Sequence, residues 1–425
     1  MQVVPAGDNA VLIGLGEVTA GELHAAARAA RSEPGVVAVV PGHSSLYVIR
    51  GEGVSELPPA PRAPRQHRIR VAFDGPDLHE LLARIPRDEF LAHVAGLRLT
   101  ARYLGFRGGF AYLDGWPDEW SMPRRATSRP VARGSFGVAG NVAGFYPIDT
   151  PGGWNILGRT DADLEHALAP EDEITIEVVD ALPTAPRSSN RSAPLLLAHA
   201  ELLSAPLATL VGPRVWANLE RGLPAGGPFD EEAAACASSA VSGATQLLEC
   251  AMTGPRLRFT RDAFAAWCGP DLELRTWRVK EGEELAIGRV TGGLRGYLAI
   301  GDRAGDAAVP ERRRRSDVIL AMRGPHDTGL NEIECEVTPH LDRVGIRLRP
   351  LRDAGIAIPA DLRSSGMQCG TVQLHPDGSL VVMGPDHPVT GGYLQPMTVI
   401  TTERWKLAQL VPGERVTLRA QPPSS

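Results

Sequence analysis

The segment Tyr146–Thr160, YPIDTPGGWNILGRT, concentrates more chemistry than any other stretch of this chain. Pro147, Pro151, Gly152 and Gly153 punctuate a loop in which two large aromatics, Tyr146 and Trp154, stand beside Asp149, Asn155 and Arg159. A glycine pair permits positive φ or close approach of another group to the backbone. Arg159 offers a planar fork for carboxylate or phosphate. Asp149 can accept a proton, hold a metal or simply cap an Asx turn. The structural alternative is a tight turn with a tryptophan plug.

A weaker copy of the segment lies near the C-terminus. Thr390-Gly391-Gly392-Tyr393, preceded by Asp386, stands where Pro151-Gly152-Gly153-Trp154 stood, and LAPEDEITI (168–176) is echoed by LVPGERVTL (410–418). Gly152 precedes Pro170 by 18 positions and Gly391 precedes Pro412 by 21; Gly134-Ser135 and Gly370-Thr371 precede the glycine pairs by the same 18 and 21. Self-similarity at this distance suggests two related barrel-like units rather than a short-period solenoid.

The elements that must position these residues are mostly strands. In residues 1–55, a small α/β unit, VLIGL (11–15), Val36–Val40 and Leu46–Ile49 read as strands. Thr19–Ser32 reads as a helix, with Thr19 as N-cap and Glu22 three residues on. Residues 56–68 are proline-rich and read as a linker. A strand over Arg68–Phe73 and two helices, from Leu78 and from Pro86 to about Ala95, open a unit at 68–180 whose remainder is short strands broken by Gly and Pro. Residues 181–194 read as a second linker. Residues 195–420 are again short strands, interrupted by one helix read over Phe229–Glu249, whose early acids suit the helix dipole. Arg312–Arg315 is a solvated loop or a phosphate grip.

Composition bounds the function. With 425 residues the chain has length for several cores, and a net charge of −6 advertises neither nucleic acid nor an anionic membrane surface. Lys280 and Lys406 are the only lysines, so residues 1–279 supply no Schiff-base or phosphate-loop lysine. The five cysteines show no C-x-x-C pair or zinc spacing and read as reduced structural thiols of a cytoplasmic protein. The N-terminus lacks the pattern of a signal peptide, and no stretch approaches transmembrane length. No P-loop, dinucleotide fingerprint, H-E-x-x-H or nucleophile elbow appears.

GFRGGFAYLDG (105–115), MPRRATSRP (122–130) and YPIDTPGGWNILGRT (146–160) resemble the allophanate hydrolase subunit 1 family, to which the B subunit of bacterial ATP-dependent 5-oxoprolinase and an inhibitor of a sporulation histidine kinase belong. GLRGYLAI (293–300), SSGMQCGTVQLHPDG (364–378), TGGYLQPMTVI (390–400) and WKLAQLVPGERV (405–416) resemble the partner family, allophanate hydrolase subunit 2. The chain thus looks like a fusion of the B and C subunits of 5-oxoprolinase. The resemblance implies a mainly β fold with an α+β N-terminal part and two cyclophilin-like β-barrel units in tandem, residues 195–420 forming a double-barrel domain. The second half departs from its family in lacking a Gln-Asp-x-Gly-Arg motif.

The activity implied is hydrolysis of a lactam or amide bond with ATP and Mg²⁺, beside a separate partner protein like the enzyme's A subunit, on a small-molecule amide or lactam substrate. Homo-oligomerisation is left open. On that reading His93, Asp149 and Asp386 carry protons. Arg125, Arg129 and Arg159 hold anions, and Tyr146, Trp154, Asn155, Gln373, Thr390 and Tyr393 line the substrate pocket, with no metal-ligand set assigned. The alternatives are a histidine-kinase regulator, a urea carboxyltransferase and a repurposed small-molecule enzyme on the same fold.

Overall fold

The computed structural model of the chain describes residues 2–51, 62–106, 108–125, 127–183, 196–204, 207–243, 245–312, 315–359 and 362–421. Residues 56–61 of the linker read over 56–68, and 184–194 of the linker read over 181–194, lie outside these residues.

The first unit is a four-stranded sheet, β1 (Gln2–Pro5), β2 (Ala10–Gly14), β3 (Val36–Pro41) and β4 (Ser45–Arg50), ordered β1-β2-β4-β3, with helix α1 (Ala20–Arg31) packed on β3 and β4. The capping box expected at Thr19 is present. The Glu22 N–H donates to Thr19 Oγ1 (3.2 Å) and the Thr19 N–H donates to Glu22 Oε2 (2.8 Å), satisfying two amides that the helix itself leaves orphaned.

The next unit contains β5 (Gln66–Val71), α2 (Leu78–Leu82), α3 (Arg87–Gly96), β6 (Arg98–Gly105), β7 (Phe110–Asp114), β8 (Arg129–Val131), β9 (Ser135–Ala139), β10 (Val142–Phe145), β11 (Thr150–Gly152), β12 (Asn155–Arg159) and β13 (Glu173–Val178). Seven strands form a curled sheet, β12-β9-β10-β7-β6-β13-β5. Its two edges meet where Ala72 and Arg159 exchange backbone hydrogen bonds of 2.9 Å. The two short strands β8 and β11 form a separate ribbon.

A third region holds β14 (Ala200–Ser204), β15 (Ala208–Leu210), α4 (Ala217–Glu220), α5 (Glu231–Ser239), β16 (Val241–Ser242), β17 (Gln246–Ala251), β18 (Arg256–Phe259), β19 (Ala263–Cys268), β20 (Leu274–Val279), β21 (Glu284–Ala286), β22 (Arg295–Gly301) and β23 (Arg303–Ala304). Its main sheet is open, ordered β15-β17-β22-β19-β20, and α5 covers it. The helix read over Phe229–Glu249 is therefore too long. It starts after the Asp230 N-cap, whose carboxylate accepts from the Ala233 N–H (3.1 Å), and ends at Ser239. Gly243, at φ +88°, turns the chain into β17, where QLLECA belongs to the sheet.

The last unit, β24 (Val318–Arg323), β25 (Glu332–Leu341), β26 (Gly345–Pro350), β27 (Ser365–Gly366), β28 (Thr371–Leu374), β29 (Leu380–Met383), β30 (Thr390–Gly391), β31 (Leu394–Val399), α6 (Arg404–Ala408) and β32 (Arg415–Gln421), is a closed barrel, β24-β31-β28-β29-β26-β25-β32, with β27 and β30 as its ribbon. Strand for strand, its order repeats that of β5–β13. In both units the last strand lies parallel to the first, β13 on β5 and β32 on β24. In both, the glycine pair sits at the end of the returning strand of the ribbon. The echo between LAPEDEITI and LVPGERVTL is thus a topological repeat.

The first unit joins the two barrels. Arg102 of β6, buried, donates from Nε to the His43 carbonyl (2.6 Å) and from Nη2 to Val18 O (2.6 Å), while the His43 N–H donates to Ser364 O (2.9 Å) beside β27. Among the described residues no helix is long and apolar enough to cross a membrane.

Candidate functional site between the two glycine ribbons

The ribbons β8/β11 and β27/β30 face each other across a small cleft of about 80 Å³. Space of that size takes a few waters or the polar end of a small molecule. One wall is aromatic: Phe106, Phe110, Tyr112, Tyr146 and Trp154 from the first barrel, with Tyr393 from the second. Phe110 and Trp154 meet edge to face at 5.1 Å, Tyr112 and Trp154 at 5.6 Å, and Phe110 and Tyr146 at 5.3 Å, the arrangement that the ring quadrupoles favour. The glycines are required by this packing. A Cβ on Gly152 would collide with the Tyr146 hydroxyl and ring, and one on Gly391 would come within 2.7 Å of Gln373 Nε2.

Thr390 ties the walls together. Its Oγ1 accepts from the Phe106 N–H (3.0 Å) and donates to the Tyr112 hydroxyl (3.4 Å). Phe106 sits at φ +59°, a conformation costly for a bulky side chain and held here by the Thr390 contact. The amide nitrogen of buried Gln373 donates to the Met367 sulfur at 3.5 Å.

The electrostatics are one-sided. Arg124 lines the cleft with its guanidinium 5.2 Å from the centre of the Tyr393 ring, and no carboxylate among the described residues pairs with it. Among the described residues no Asp or Glu lines the cleft. Burial pushes the Tyr112 and Tyr146 hydroxyls up, so both remain protonated donors, although Arg124 works in the opposite direction on each. Behind Tyr393, His375 stacks on its ring at 4.2 Å. Burial, with help from Arg347 and Arg124, lowers that imidazole to about 4, so it is neutral at pH 7. The cleft is therefore an aromatic slot with hydroxyl donors and one unneutralised cation, suited to a small planar anion.

Of the residues expected from the sequence, Tyr146, Trp154, Gln373, Thr390 and Tyr393 line the cleft. The others lie elsewhere. Arg125 pairs with Asp77 (2.6 Å) and Glu80 (2.6 Å), and Arg129 with Asp77. Burial raises the Asp77 carboxyl, but Arg129, the Ile156 N–H and Arg125 outweigh it and hold Asp77 below the usual carboxylate range. These arginines tie the 125–129 segment to α2, and Asp77 also accepts from the Ile156 N–H of β12 (2.6 Å). Arg159 pairs with Asp74 (2.9 Å) and donates to the carbonyls of Leu182 and Pro183. Buried Asn155 donates to the Pro123 carbonyl (2.9 Å). His93 is exposed on α3 with its ring 4.6 Å from that of Trp120. Asp149 accepts from the Arg133 N–H (2.7 Å), the turn-capping alternative, and Asp386 forms a two-pronged ion pair with Arg343. Arg312 is held by Asp230 and Glu232 and Arg315 by Glu414; the residues between them lie outside the described set.

Sequence reasoning missed Arg124, Ser128 and Ser364. Only Arg124 carried a signal, as the neighbour of Arg125 in MPRR. ATP and Mg²⁺ do not fit this cleft: its lining has no carboxylate oxygen for the metal, one guanidinium for three phosphates, and too little volume for a base. Among the described residues no cluster of His, Cys, Asp and Glu could hold a metal ion.

Residues 1–167 match the family described as carboxyltransferase domain, subdomain C and D, and residues 221–328 and 303–420 match carboxyltransferase domain, subdomain A and B. The 5-oxoprolinase B subunit of Bacillus subtilis is 31% identical over 198 residues, covering 37% of this chain and 82% of that protein. Its Haemophilus influenzae counterpart is 31% identical over 184 residues, covering 38% of this chain and 86% of that protein. The chain belongs to the carboxyltransferase-domain family, as a fused subunit 1/subunit 2 protein. A putative urea carboxylase of Emericella nidulans is 26% identical over 276 residues, which span 47% of this chain but 22% of that much longer protein. A crystal structure of TTHA0988 superposes with a TM-score of 0.76 at 24% identity, over 97% of this chain and 99% of that one, so the whole two-barrel fold recurs there.

Proposed function

We propose that this chain is the fused B–C component of a 5-oxoprolinase-type system, and that the inter-ribbon cleft binds the anionic end of a small lactam or amide. The observation that carries this reading is the unpaired Arg124 fork on Tyr393, opposite the hydroxyls of Tyr112 and Tyr146, in a slot to which both halves contribute their glycine ribbon. Arg124 takes the carboxylate, the aromatic wall covers the ring and excludes water, and Thr390 and Gln373 face the amide. Among the described residues no carboxylate or imidazole lines the cleft, and the residues that do line it bind and orient. The nucleotide chemistry and proton transfer fall to a partner of the A-component type closing over the small opening. The two 5-oxoprolinase relatives, each named as one subunit of its enzyme, support such a partner.

The test mixes the purified chain with an A-component-like protein encoded beside it, ATP and 5-oxoproline, and follows phosphate and glutamate release. Release that needs both proteins supports the reading; its absence with an active partner refutes it. The carboxyltransferase family description and the urea carboxylase relative favour one second reading, carboxyl transfer to a urea-like substrate. With no biotin-carrier lysine motif in the sequence, that reading requires biotin on another protein. It predicts decarboxylation of free carboxybiotin on addition of urea.

A further inference from the structure

The side chain of His375, half-buried behind the cleft, makes no hydrogen bond with a described residue, and its Nε2 is buried without a partner. Leaving a buried polar atom unpaired costs about 1–3 kcal/mol, so the ring nitrogens are not what holds this residue in place. What the ring does meet is Tyr393. The two stack with centroids 4.2 Å apart and planes 17° from parallel. The imidazole therefore serves through its flat face.

That face stands on a fixed backbone. The His375 N–H donates to the Ser379 carbonyl (2.9 Å) and the Gly378 N–H donates to the His375 carbonyl (2.9 Å), closing the hairpin after β28. Arg347 braces the same hairpin through Asp377 (3.0 Å) and Ser379 (2.9 Å). Tyr393 has no such support of its own. It follows Gly391 and Gly392, which impose little backbone preference, and its hydroxyl makes no hydrogen bond with a described residue. Arg124 is freer still: it is exposed and makes no ion pair or hydrogen bond with a described residue. Its guanidinium rests 5.2 Å from the centre of the Tyr393 ring, with Nη1 passing 2.9 Å from where a Cβ on Gly392 would stand. Support thus runs from hairpin to imidazole, from imidazole to phenol ring, and from ring to guanidinium.

We propose that His375 is a positioning residue of the inter-ribbon cleft: its stacked ring fixes Tyr393, and Tyr393 fixes the Arg124 guanidinium where it meets the anionic end of the ligand. The inference rests on the reading of Arg124 as the anion holder. His375 does not itself line the cleft. Without it, Tyr393 and Arg124 spread over several rotamers, and only the fraction in the competent one binds. If about one arrangement in five is competent, the apparent affinity falls about fivefold. A purely apolar aromatic ring serves equally well, because no hydrogen bond is lost with the nitrogens.

Calorimetry with 5-oxoproline on the full chain tests it. His375→Ala, checked for fold by circular dichroism, binds about fivefold more weakly than wild type, and His375→Phe, which keeps the stack, stays within about twofold. Added to Arg124→Ala, His375→Ala weakens binding no further, because the group it positions is gone. His375→Ala binding as tightly as wild type, His375→Phe binding as weakly as the alanine variant, or the same fivefold loss in the Arg124→Ala background would each overturn the assignment. A second measurement needs no ligand. The Arg124 Cδ–H resonance, identified by its absence in Arg124→Lys, carries the ring-current shift of Tyr393; it loses that shift in His375→Ala and keeps it in His375→Phe. No 5-oxoproline binding to wild type sinks the lactam reading, whereas an Arg124 resonance unmoved in His375→Ala sinks the positioning role by itself.

Discussion

Replacing Thr390 by valine removes one oxygen from the junction between the barrels and almost nothing else. Thr390 is 1% exposed, so the added methyl occupies the space the hydroxyl held, and the volume of the site is kept. Two hydrogen bonds are lost. The one from the Phe106 N–H, at 3.0 Å, is of normal length; the one to Tyr112, at 3.4 Å, is long and contributes little. Leaving a partly buried N–H without an acceptor costs about 1–2 kcal/mol, and Phe106 at φ +59° then loses the contact that holds it. With an unfolding entropy of about 2 cal/mol/K per residue over a chain of this length, that corresponds to a fall in Tm of about 1–2 °C. Differential scanning fluorimetry resolves such a shift in replicate, and urea titration followed by tryptophan fluorescence reads it independently. Thr390→Ser, which keeps the acceptor, retains more of the wild-type midpoint than valine does. In a cycle with Tyr112→Phe, the Thr390–Tyr112 coupling is below about 0.5 kcal/mol. If valine matches wild type while serine does not, the hydroxyl plays no part in joining the barrels and the reasoning fails.

Other outcomes follow from the same contacts. Gly152→Ala drives a methyl into the Tyr146 ring, which is enclosed on all sides, and lowers stability by about 1–3 kcal/mol with loss of cleft binding; a neutral result would show that the aromatic wall is not packed as described. Arg343→Ala leaves buried Glu249 with Arg295 (3.3 Å) as its remaining cation among the described residues, beside hydrogen bonds from the Phe229 N–H (2.9 Å) and the Tyr297 hydroxyl (2.9 Å), and costs about 3 kcal/mol by denaturant titration, whereas Asp386→Asn costs much less because that carboxylate is partly exposed. The acid limb of stability is set by histidines. His43, His375 and His387 are each lowered to about 4, first by burial, so they stay neutral in the fold while the unfolded chain takes up protons below about pH 6.5. The unfolded state therefore binds more protons between pH 6.5 and 4, and stability falls as pH falls through that window; His375→Gln makes the fall shallower in a pH series of urea midpoints.

How far the sequence led depends on whether the information was local. The Thr19 capping box was readable because both partners lie within four residues. The tandem barrels were readable because the repeat preserved spacing between glycine pairs and the strand that closes each unit. The overlong helix arose at QLLECA, a short apolar run equally suited to strand and helix, where only pairing with β22 decides. The site was half legible for the same reason. Tyr146, Trp154, Thr390 and Tyr393 belong to the ribbons themselves, but the roles of the arginines depend on distant carboxylates. Asp77, 48 residues from Arg125, claims both Arg125 and Arg129, and Asp74 claims Arg159, leaving Arg124 as the cation that reaches the cleft. Nothing in MPRR distinguishes its two arginines. His93, Asp149 and Asp386 suit proton transfer by residue type alone, and the structure gives each a partner away from the cleft.

The central claim is that Arg124 makes the inter-ribbon cleft an anion site for a small lactam. Titration of 5-oxoproline into the full chain and into Arg124→Ala, read by calorimetry, tests it most directly. Arg124 is exposed and its one described contact is the Tyr393 ring, so the variant folds normally. The account predicts one site per chain in the wild type and at least about tenfold weaker binding in the variant, the loss of one charge-assisted contact. Equal affinity in the two proteins, or no binding to either, would contradict it.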